Sequence, residues 1–383
     1  MRILVMTILD LSRDMNGVVV SANEHIQLLK RKAWDVVVLT PYTDPAKSLK
    51  KVLYWGSSLF RRTQWSWLTL FNLMIKAIIL SSNLHKCDLQ KRILHAHDVM
   101  SAGILLLVTR GKQSVFLQSH FHSHPWDEFQ QAGLIKKNSL SYRILRSGLL
   151  RILHHHRLAF LPTSHDNKRF LQQLLHNEPW IAGVLYPGIQ TSQPMENSDH
   201  AYLINVGSID ARKNQIMLVD ILKELEEMAA GMRLVLVGPI DQTEMLRIQR
   251  RKQQLQVRNE IVFTGPMTSE KTRELIAGAK LYIHTAFKES FGRTLVEAMA
   301  SKTPVVAMDY PAAHEILNPS AILPRHWKVS EIAQFIATLL ATPQHLEKMQ
   351  EEQYRRFIKC FTESVMFKNY LATIQPQGAY HAS

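Results

Sequence analysis

Cysteine is nearly absent. The 383 residues contain two, Cys87 and Cys360, far apart and without a C-x-x-C spacing. That excludes a disulfide framework and a thiolate zinc or redox motif, and a reduced, cytoplasmic setting is the simpler reading. Long apolar runs are also lacking. Met1 to Thr7 is apolar but brief, and it runs into Asp10 without a small-residue cleavage site, so it reads as a first strand. The run from Leu68 to Leu80 is interrupted by Asn72 and Lys76, short of the roughly 20 residues that a membrane-spanning helix needs. Nothing is repetitive or of low complexity. Acidic residues are scarce in the first half: residues 1–190 hold 24 Lys+Arg against 11 Asp+Glu, whereas 191–383 hold 22 against 21, so +13 of the +14 net charge lies in the N-terminal half. A basic chain can bind nucleic acid, but zinc-ligand spacing, an aromatic RNA-binding signature and a basic helical arm are all missing. An anionic surface is the better partner.

What is present fits two packed cores. Hydrophobic residues make up 46% of the chain, and short apolar runs alternate with helical patterns throughout, which predicts an α/β chain of two Rossmann-like halves with parallel sheets. Strands are expected at 2–7, 34–40, 91–94, 114–119, 157–162 and 182–186, then at 201–206, 232–237, 260–263, 280–284, 304–308 and 321–323. After the first strand of the second half, Leu218, Ile221, Leu222, Leu225 and Met228 have amphipathic spacing. Thr191-Ser192-Gln193-Pro194 and Asn197-Ser198-Asp199 read as a linker. The expected domains are 1–190, 191–355 and a helical tail, 356–383. In such folds ligand lies outside the carboxyl ends of the strands.

The most informative stretch runs from Lys288 to Ala300. Lys280 to His284 reads as a buried strand, Gly292 as a turn, and Thr294 to Ser301 as a helix ending before Pro304. Glu289 then stands on a loop at the sheet edge and Glu297, eight positions on, within the helix. The backbone N–H groups of Phe291 to Thr294 lie at the positive end of the helix dipole, which suits a diphosphate. One carboxylate can accept hydrogen bonds from sugar hydroxyls and the other from ribose. Helix capping and a solvated face would account for the two glutamates taken alone. Their setting is more specific: Glu289-Ser290-Phe291-Gly292-Arg293-Thr294-Leu295-Val296-Glu297-Ala298-Met299-Ala300, followed by Pro304-Val305-Val306-Ala307, resembles the E-x7-E donor-site signature of the family-4 retaining glycosyltransferases of GT-B fold.

The resemblance covers nearly the whole chain and implies roles for further residues. Lys213 matches a lysine that contacts donor phosphates. Ser208 stands where relatives carry an arginine, for which Arg212 or Arg293 can substitute. Asn16-Gly17 follows the first strand where relatives have a glycine-rich loop, Asn16 on the acceptor side and Gly17 toward the donor. Gly265, after Ile261 to Thr264, matches a glycine near the base, and Ser290, Phe291, Gly292, Arg293 and Thr294 complete the donor set. His120 aligns with the histidine of the N-terminal domain that faces the sugar, with His122 the alternative register and His97 a further acceptor-side candidate. His95-Ala96-His97 and His120-Phe121-His122-Ser123-His124 have a spacing that could suggest metal ligation, but no third and fourth ligand pattern is evident, and relatives work without bound metal. Lys302, Thr285-Ala286 and Tyr310 to Glu315 depart from the family pattern, so the sugar and base cannot be copied from a relative.

The resemblance thus implies a GT-B fold, with its tail crossing back to the first domain and its two domains facing across a cleft. It implies metal-independent, retaining transfer of a hexose or aminohexose from a nucleotide-diphosphate sugar, UDP- or GDP-linked, to a hydroxyl. No cofactor is expected beyond that co-substrate, and Asp-x-Asp occurs nowhere. Lys47, Lys50, Lys51, Arg61 and Arg62 interleave with Trp55, Phe60, Trp65, Trp67, Leu68 and Phe71. That mixture suits an anionic membrane surface or a core helix with a basic edge. A lipid-linked or cell-envelope glycan acceptor at the inner membrane face is expected. A soluble aminocyclitol-type acceptor, a noncatalytic nucleotide-sugar-binding protein and an epimerase of the same fold are the alternatives.

Overall fold

The computed structural model describes residues 1–11, 17–42, 66–121, 123–131, 133–176, 179–191, 202–229 and 231–374. Asn16, His122 and the basic, aromatic segment from Lys47 to Trp65 lie outside the described residues. Two compact units emerge: Met1–Tyr186 with the chain from Phe367 onward, and Pro187–Met366. The chain leaves the second unit at 367, not 356, because the helix Pro343–Cys360 is part of that unit's packing. There the Gln353 amide bonds both Val305 N (2.9 Å) and Val305 O (2.8 Å), the Arg356 guanidinium donates to Glu315 O and Ile316 O, and Phe357 and Phe361 are buried.

The first unit holds strands β1 (Arg2–Met6), β2 (Asp35–Leu39), β3 (Ile93–Ala96), β4 (Val115–Ser119) and β5 (Leu158–Pro162), all parallel in the order β2-β1-β3-β4-β5. Helices α1 (Gly17–Arg31), α2 (Ser66–Leu84), α3 (Val99–Val108), α4 (Pro125–Gln131), α5 (Leu140–Leu153) and α6 (His165–Leu175) connect them. Ile3 to Met6 are fully buried, as expected of a strand covered on both faces. Two expectations change. β3 starts and ends two residues later than 91–94, since it carries His95 into the sheet interior, paired with Val5. No strand forms at 182–186. Phe160 N donates to Trp180 O and Ala182 N to Phe160 O, one isolated bridge, after which Pro162 has no N–H with which to continue the ladder.

Two buried polar residues stand at the core of this unit. At the switch point between β1 and β3, Asp98 caps α3 through Ser101 N (2.8 Å) and accepts Ile8 N (2.9 Å) from the loop after β1. On α1, Val19, Ala22, Ile26 and Leu29 form the apolar stripe, and His25 lies on the same buried face. Helix α2 turns Leu73, Leu80 and Leu84 inward while Trp67, Phe71, Met74 and Ile78 stand exposed on another face. It is long and apolar enough to cross a membrane by length and composition, although its inner row is part of the core.

The second unit holds β6 (Tyr202–Val206), β7 (Arg233–Val237), β8 (Ile261–Gly265), β9 (Leu281–His284), β10 (Val305–Met308) and β11 (Ile322–Leu323), again all parallel, in the order β11-β10-β9-β6-β7-β8. Renumbered from β6, this is the 3-2-1-4-5-6 order of a dinucleotide-type sheet, with its switch point between β6 and β9. Helices α7 (Ile216–Leu225), α8 (Gln242–Gln254), α9 (Ser269–Ala277), α10 (Arg293–Ala300), α11 (Pro311–Ile316), α12 (Val329–Ala341) and α13 (Pro343–Cys360) pack around it, and α14 (Glu363–Ile374) carries the chain back into the first unit's residues. Leu218, Ile221, Leu222 and Leu225 are buried on α7 as the spacing predicts. Met228 is not, at 40% exposed, because the helix ends at Leu225.

Burial in the first unit has a consequence for stability. It pushes His25 down to about 4, and it holds His95 and His97 well below the ordinary imidazole value, aided by the neighbouring imidazoles. The unfolded chain therefore takes up protons below pH 6.5 that the folded chain refuses. Stability is full above that pH and is lost as pH falls, at up to about 1.4 kcal/mol per pH unit for each histidine. With chelator present, the melting temperature of the full chain should fall steadily from pH 7 to pH 5, and His25→Leu should flatten that slope.

Candidate functional site

The loops that follow β6 and β9 meet at the switch point of the second sheet, and the chain itself stitches them together. After Val206, Asp210 caps a short 3-10 turn, Ala211–Lys213, by accepting from Arg212 N (3.0 Å). Asp210 Oδ2 also accepts the Ser208 hydroxyl (2.6 Å) and pairs with the Arg212 guanidinium (2.8 Å). Burial works against ionising Asp210, but Arg212 and Ser208 together bring its carboxyl below the usual range. Thr285 Oγ1 donates to Lys213 O (2.8 Å) and Asn205 Nδ2 donates to Ile283 O (2.7 Å). The ends of β6 and β9 are thereby locked in register.

That lock presents Lys213 to Glu289. Their ammonium and carboxylate form an ion pair, the carboxylate almost fully buried and the ammonium largely so. His284, the last residue of β9, lies 3.5 Å from the same Glu289 oxygen. Burial holds its imidazole below the ordinary value although the carboxylate pulls the other way. Helix α10 begins just beyond, with Gly292 as its cap in the left-handed region (φ 99°). A Cβ at 292 would be strained and would stand 2.5 Å from the Tyr310 hydroxyl. That hydroxyl is fully buried and has no hydrogen-bond partner. Tyr282, on β9, donates to Thr294 Oγ1 (2.8 Å) or to Val206 O (3.1 Å), tying the first turn of α10 to the end of β6. Glu297 is paired with Arg293 one turn earlier (2.7 Å). Each of the two glutamates thus has a cation of the chain against it: Lys213 against Glu289, Arg293 against Glu297.

The remaining expected residues fall as follows. Ser290 and Phe291 are buried, and the Phe291 ring packs 5.8 Å from Phe361, so only its backbone belongs to the helix terminus. Gly265 ends β8 at φ 71° and accepts Gly238 N (3.1 Å). Ser208 and Arg212 are engaged with Asp210 rather than with Glu289 or Glu297. Gly17 opens α1 with nothing within 4 Å of where a Cβ would be, so the chain itself imposes no glycine there. His120 follows β4, its ring 6.3 Å from that of His97, which is buried against His95 and His25. Lys302, in the place of the family's glycine, keeps a left-handed φ of 55° with its ammonium over the Tyr354 ring.

Sequence reasoning missed Asp210, His284, Thr285, Tyr282 and Tyr310. Only His284 carried a usable signal, a histidine ending an otherwise apolar strand directly before the motif. Asp210 is a half-buried partner of its own neighbours Ser208 and Arg212, and Tyr282, Thr285 and Tyr310 are buried partners whose relevance depends on what folds beside them.

A parallel sheet of this order, with paired glutamates at its switch point and a second parallel-sheet unit in the same chain, defines the GT-B class of glycosyltransferase folds. Residues 15–193 match the family model described as "Glycosyltransferase Family 4" and residues 190–356 the one described as "Glycosyl transferases group 1". The chain belongs to the family-4 glycosyltransferases. It is 26% identical over 156 residues to the alpha-monoglucosyldiacylglycerol synthase of Streptococcus pneumoniae, across 39% of this chain and 34% of that protein. It spans about a third of the length of the curated relatives it matches. Among solved structures, sucrose-phosphate synthase from Thermosynechococcus elongatus superposes with a TM-score of 0.72 at 17% identity over 96% of both chains. The Anabaena protein HepE in complex with UDP-glucose gives 0.68 at 17% identity, over 97% of this chain and 98% of that one. These likenesses speak for the fold.

The contact between Gly292 and Tyr310 is testable by itself. Gly292→Ala should cost about 1–3 kcal/mol through backbone strain and the clash with the hydroxyl. Tyr310→Phe, which removes a buried unpartnered hydroxyl, should leave the protein as stable or about 1 kcal/mol more stable. The double variant should recover part of the Gly292→Ala loss in denaturant unfolding. Equal losses in the single and double variants would show that the hydroxyl does not contribute.

Proposed function

We propose that this chain is a metal-independent, retaining glycosyltransferase that moves a hexose or aminohexose from a UDP- or GDP-linked sugar to a hydroxyl on a lipid-linked or cell-envelope glycan. The observation that carries the reading is the pairing of Lys213 with Glu289 and of Arg293 with Glu297 around the start of α10. A bound donor brings what these four residues need. Its diphosphate carries negative charge for Lys213, Arg293 and the N–H groups of the α10 terminus, and its hydroxyls give Glu289 and Glu297 neutral donors in exchange for their cations. In that exchange Glu289 holds the transferred sugar and Glu297 the ribose.

In the transfer step the bond from the anomeric carbon to the diphosphate oxygen breaks, and the bond to the acceptor oxygen forms on the same face. The acceptor proton passes to the departing phosphate oxygen. Lys213 and the helix terminus stabilise the charge that builds on the leaving group, which is the work a metal does in other transferases. His120 contributes a hydrogen bond to the transferred sugar. Water exclusion protects the reacting centre.

The acceptor reading rests on the first unit. Trp67, Phe71, Met74 and Ile78 form an exposed apolar row on α2, with Trp67 57% and Ile78 59% exposed. The loop carrying the exposed Lys136 and Lys137 is fastened to the start of α2, since Lys136 N donates to Ser66 Oγ (2.8 Å) and Thr69 Oγ1 to Leu134 O (2.7 Å). An apolar row with lysines at its end matches an anionic bilayer surface, and the pneumococcal relative is named for a diacylglycerol product. These features support a reading in which the protein works at the cytoplasmic face of a membrane.

Two measurements check the reading. Thermal stabilisation by a panel of nucleotide sugars, with chelator present, should give one nucleotide class a clear shift, about 2.7 kcal/mol at 100 times its dissociation constant. Lys213→Ala and Glu297→Ala should lose it. If no donor stabilises the wild type, the site assignment fails. In flotation with vesicles containing anionic lipid, the wild type should co-migrate and Phe71→Glu with Met74→Glu should not. Full transfer to a soluble acceptor by a protein that ignores vesicles would instead favour the aminocyclitol-type reading.

A further inference from the structure

We propose that His25, His95 and His97 form a structural site for a divalent transition-metal ion, Zn²⁺ by chemical preference, inside the first unit. His95 and His97 are two apart on and just beyond β3, so they leave the same face of the sheet. His25 reaches them from α1, and one ring nitrogen of each lies within 4.8 Å of one on the other two. The ring centroids are 4.9 Å apart for His25 and His95, 4.8 Å for His95 and His97, and 5.8 Å for His25 and His97. All three side chains are buried, and among the described residues both nitrogens of His25 and both of His97 have no hydrogen-bond partner, while the His95 imidazole has Tyr370 and Gln118 against it.

Four bare nitrogens in one buried cluster are an unusual arrangement. Each costs about 1–3 kcal/mol unless something satisfies it, and a protein interior does not accumulate such costs in one place without a ligand. His95 supports the assignment. Its Nδ1 lies 3.0 Å from Tyr370 Oη on α14, and when that nitrogen donates to the hydroxyl, Nε2 carries the lone pair, which a metal would take in exchange for the neighbouring Gln118 side chain. A hydrogen bond of this kind on the far nitrogen is the common support of a metal-bound imidazole.

Neutral imidazoles are the form a metal requires, and a cation that imidazole nitrogen binds well is the ligand such a set selects. Tetrahedral coordination with bonds of about 2.1 Å would bring the nitrogens to roughly 3.4 Å from one another, inside the 4.8 Å within which they lie here. A fourth position is left for water. The ion would tie α1 to β3 and, through Tyr370, to the last helix. The proposal goes beyond the donor reading, because its ligands share no residue with Lys213, Glu289, Arg293 or Glu297.

The test uses the full chain. Metal content as isolated is measured, the protein is stripped with chelator, and Zn²⁺ is returned by slow equilibration against a chromophoric chelator at neutral pH. One tight equivalent is expected, with a rise in melting temperature. His25→Asn should weaken binding about 100-fold or more. A control variant, His155→Asn with His156→Asn, removes two neighbouring imidazoles that stack 4.8 Å apart elsewhere in the unit and should leave the tight equivalent intact. If His25→Asn fails to fold, X-ray absorption at the zinc edge of the wild type decides, with at least three imidazole scatterers expected. Absence of a tight equivalent, its loss in the control variant, or fewer than three imidazoles would overturn the site.

Discussion

The pairing of Lys213 with Glu289 is the constraint on which the second unit is organised. A carboxylate this deeply buried is tolerable only with a counter-charge and further polar neighbours, and the chain supplies both from elements far apart in sequence. Lys213 comes from the turn after β6, Glu289 from the loop after β9, and His284 from the end of β9 itself. Thr285 then fixes the turn that carries Lys213. The arrangement costs desolvation in the absence of ligand. It also gives each of the two glutamates a cation of the chain, Lys213 for Glu289 and Arg293 for Glu297.

Both units use the same architectural device. In each, the central strands end where the sheet order reverses, and in each a histidine occupies the end of a central strand: His95 and His97 at β3, His284 at β9. Burial keeps all three imidazoles neutral. In the second unit the imidazole borders a carboxylate and so belongs with the ion pair. In the first it meets other imidazoles, and the missing charge invites a cation.

Much of this was legible along the chain because parallel α/β folds write their strands as continuous apolar runs. Eleven of the twelve expected strands form, and the glutamates at 289 and 297 fall on the loop and the helix that the string of residues from 288 to 300 requires. The exceptions have local causes that a hydrophobicity pattern cannot express. Pro162 lacks the N–H that would have extended the sheet over 182–186, and His95, polar by composition, is drawn into the interior as part of β3.

The sequence by itself determined the alternation of strands and helices, the two-unit organisation and the position of the glutamate pair, since each depends on periodicity or on residues within one short segment. Tertiary structure alone decided who partners whom. Lys213 meeting Glu289 across 76 residues, the Tyr310 hydroxyl over Gly292, and His25 closing on His95 and His97 are contacts between segments that only the sheet order brings together. Charge and hydrogen bonding act over a few ångströms of space, and distance along the chain carries no information about that until the fold exists.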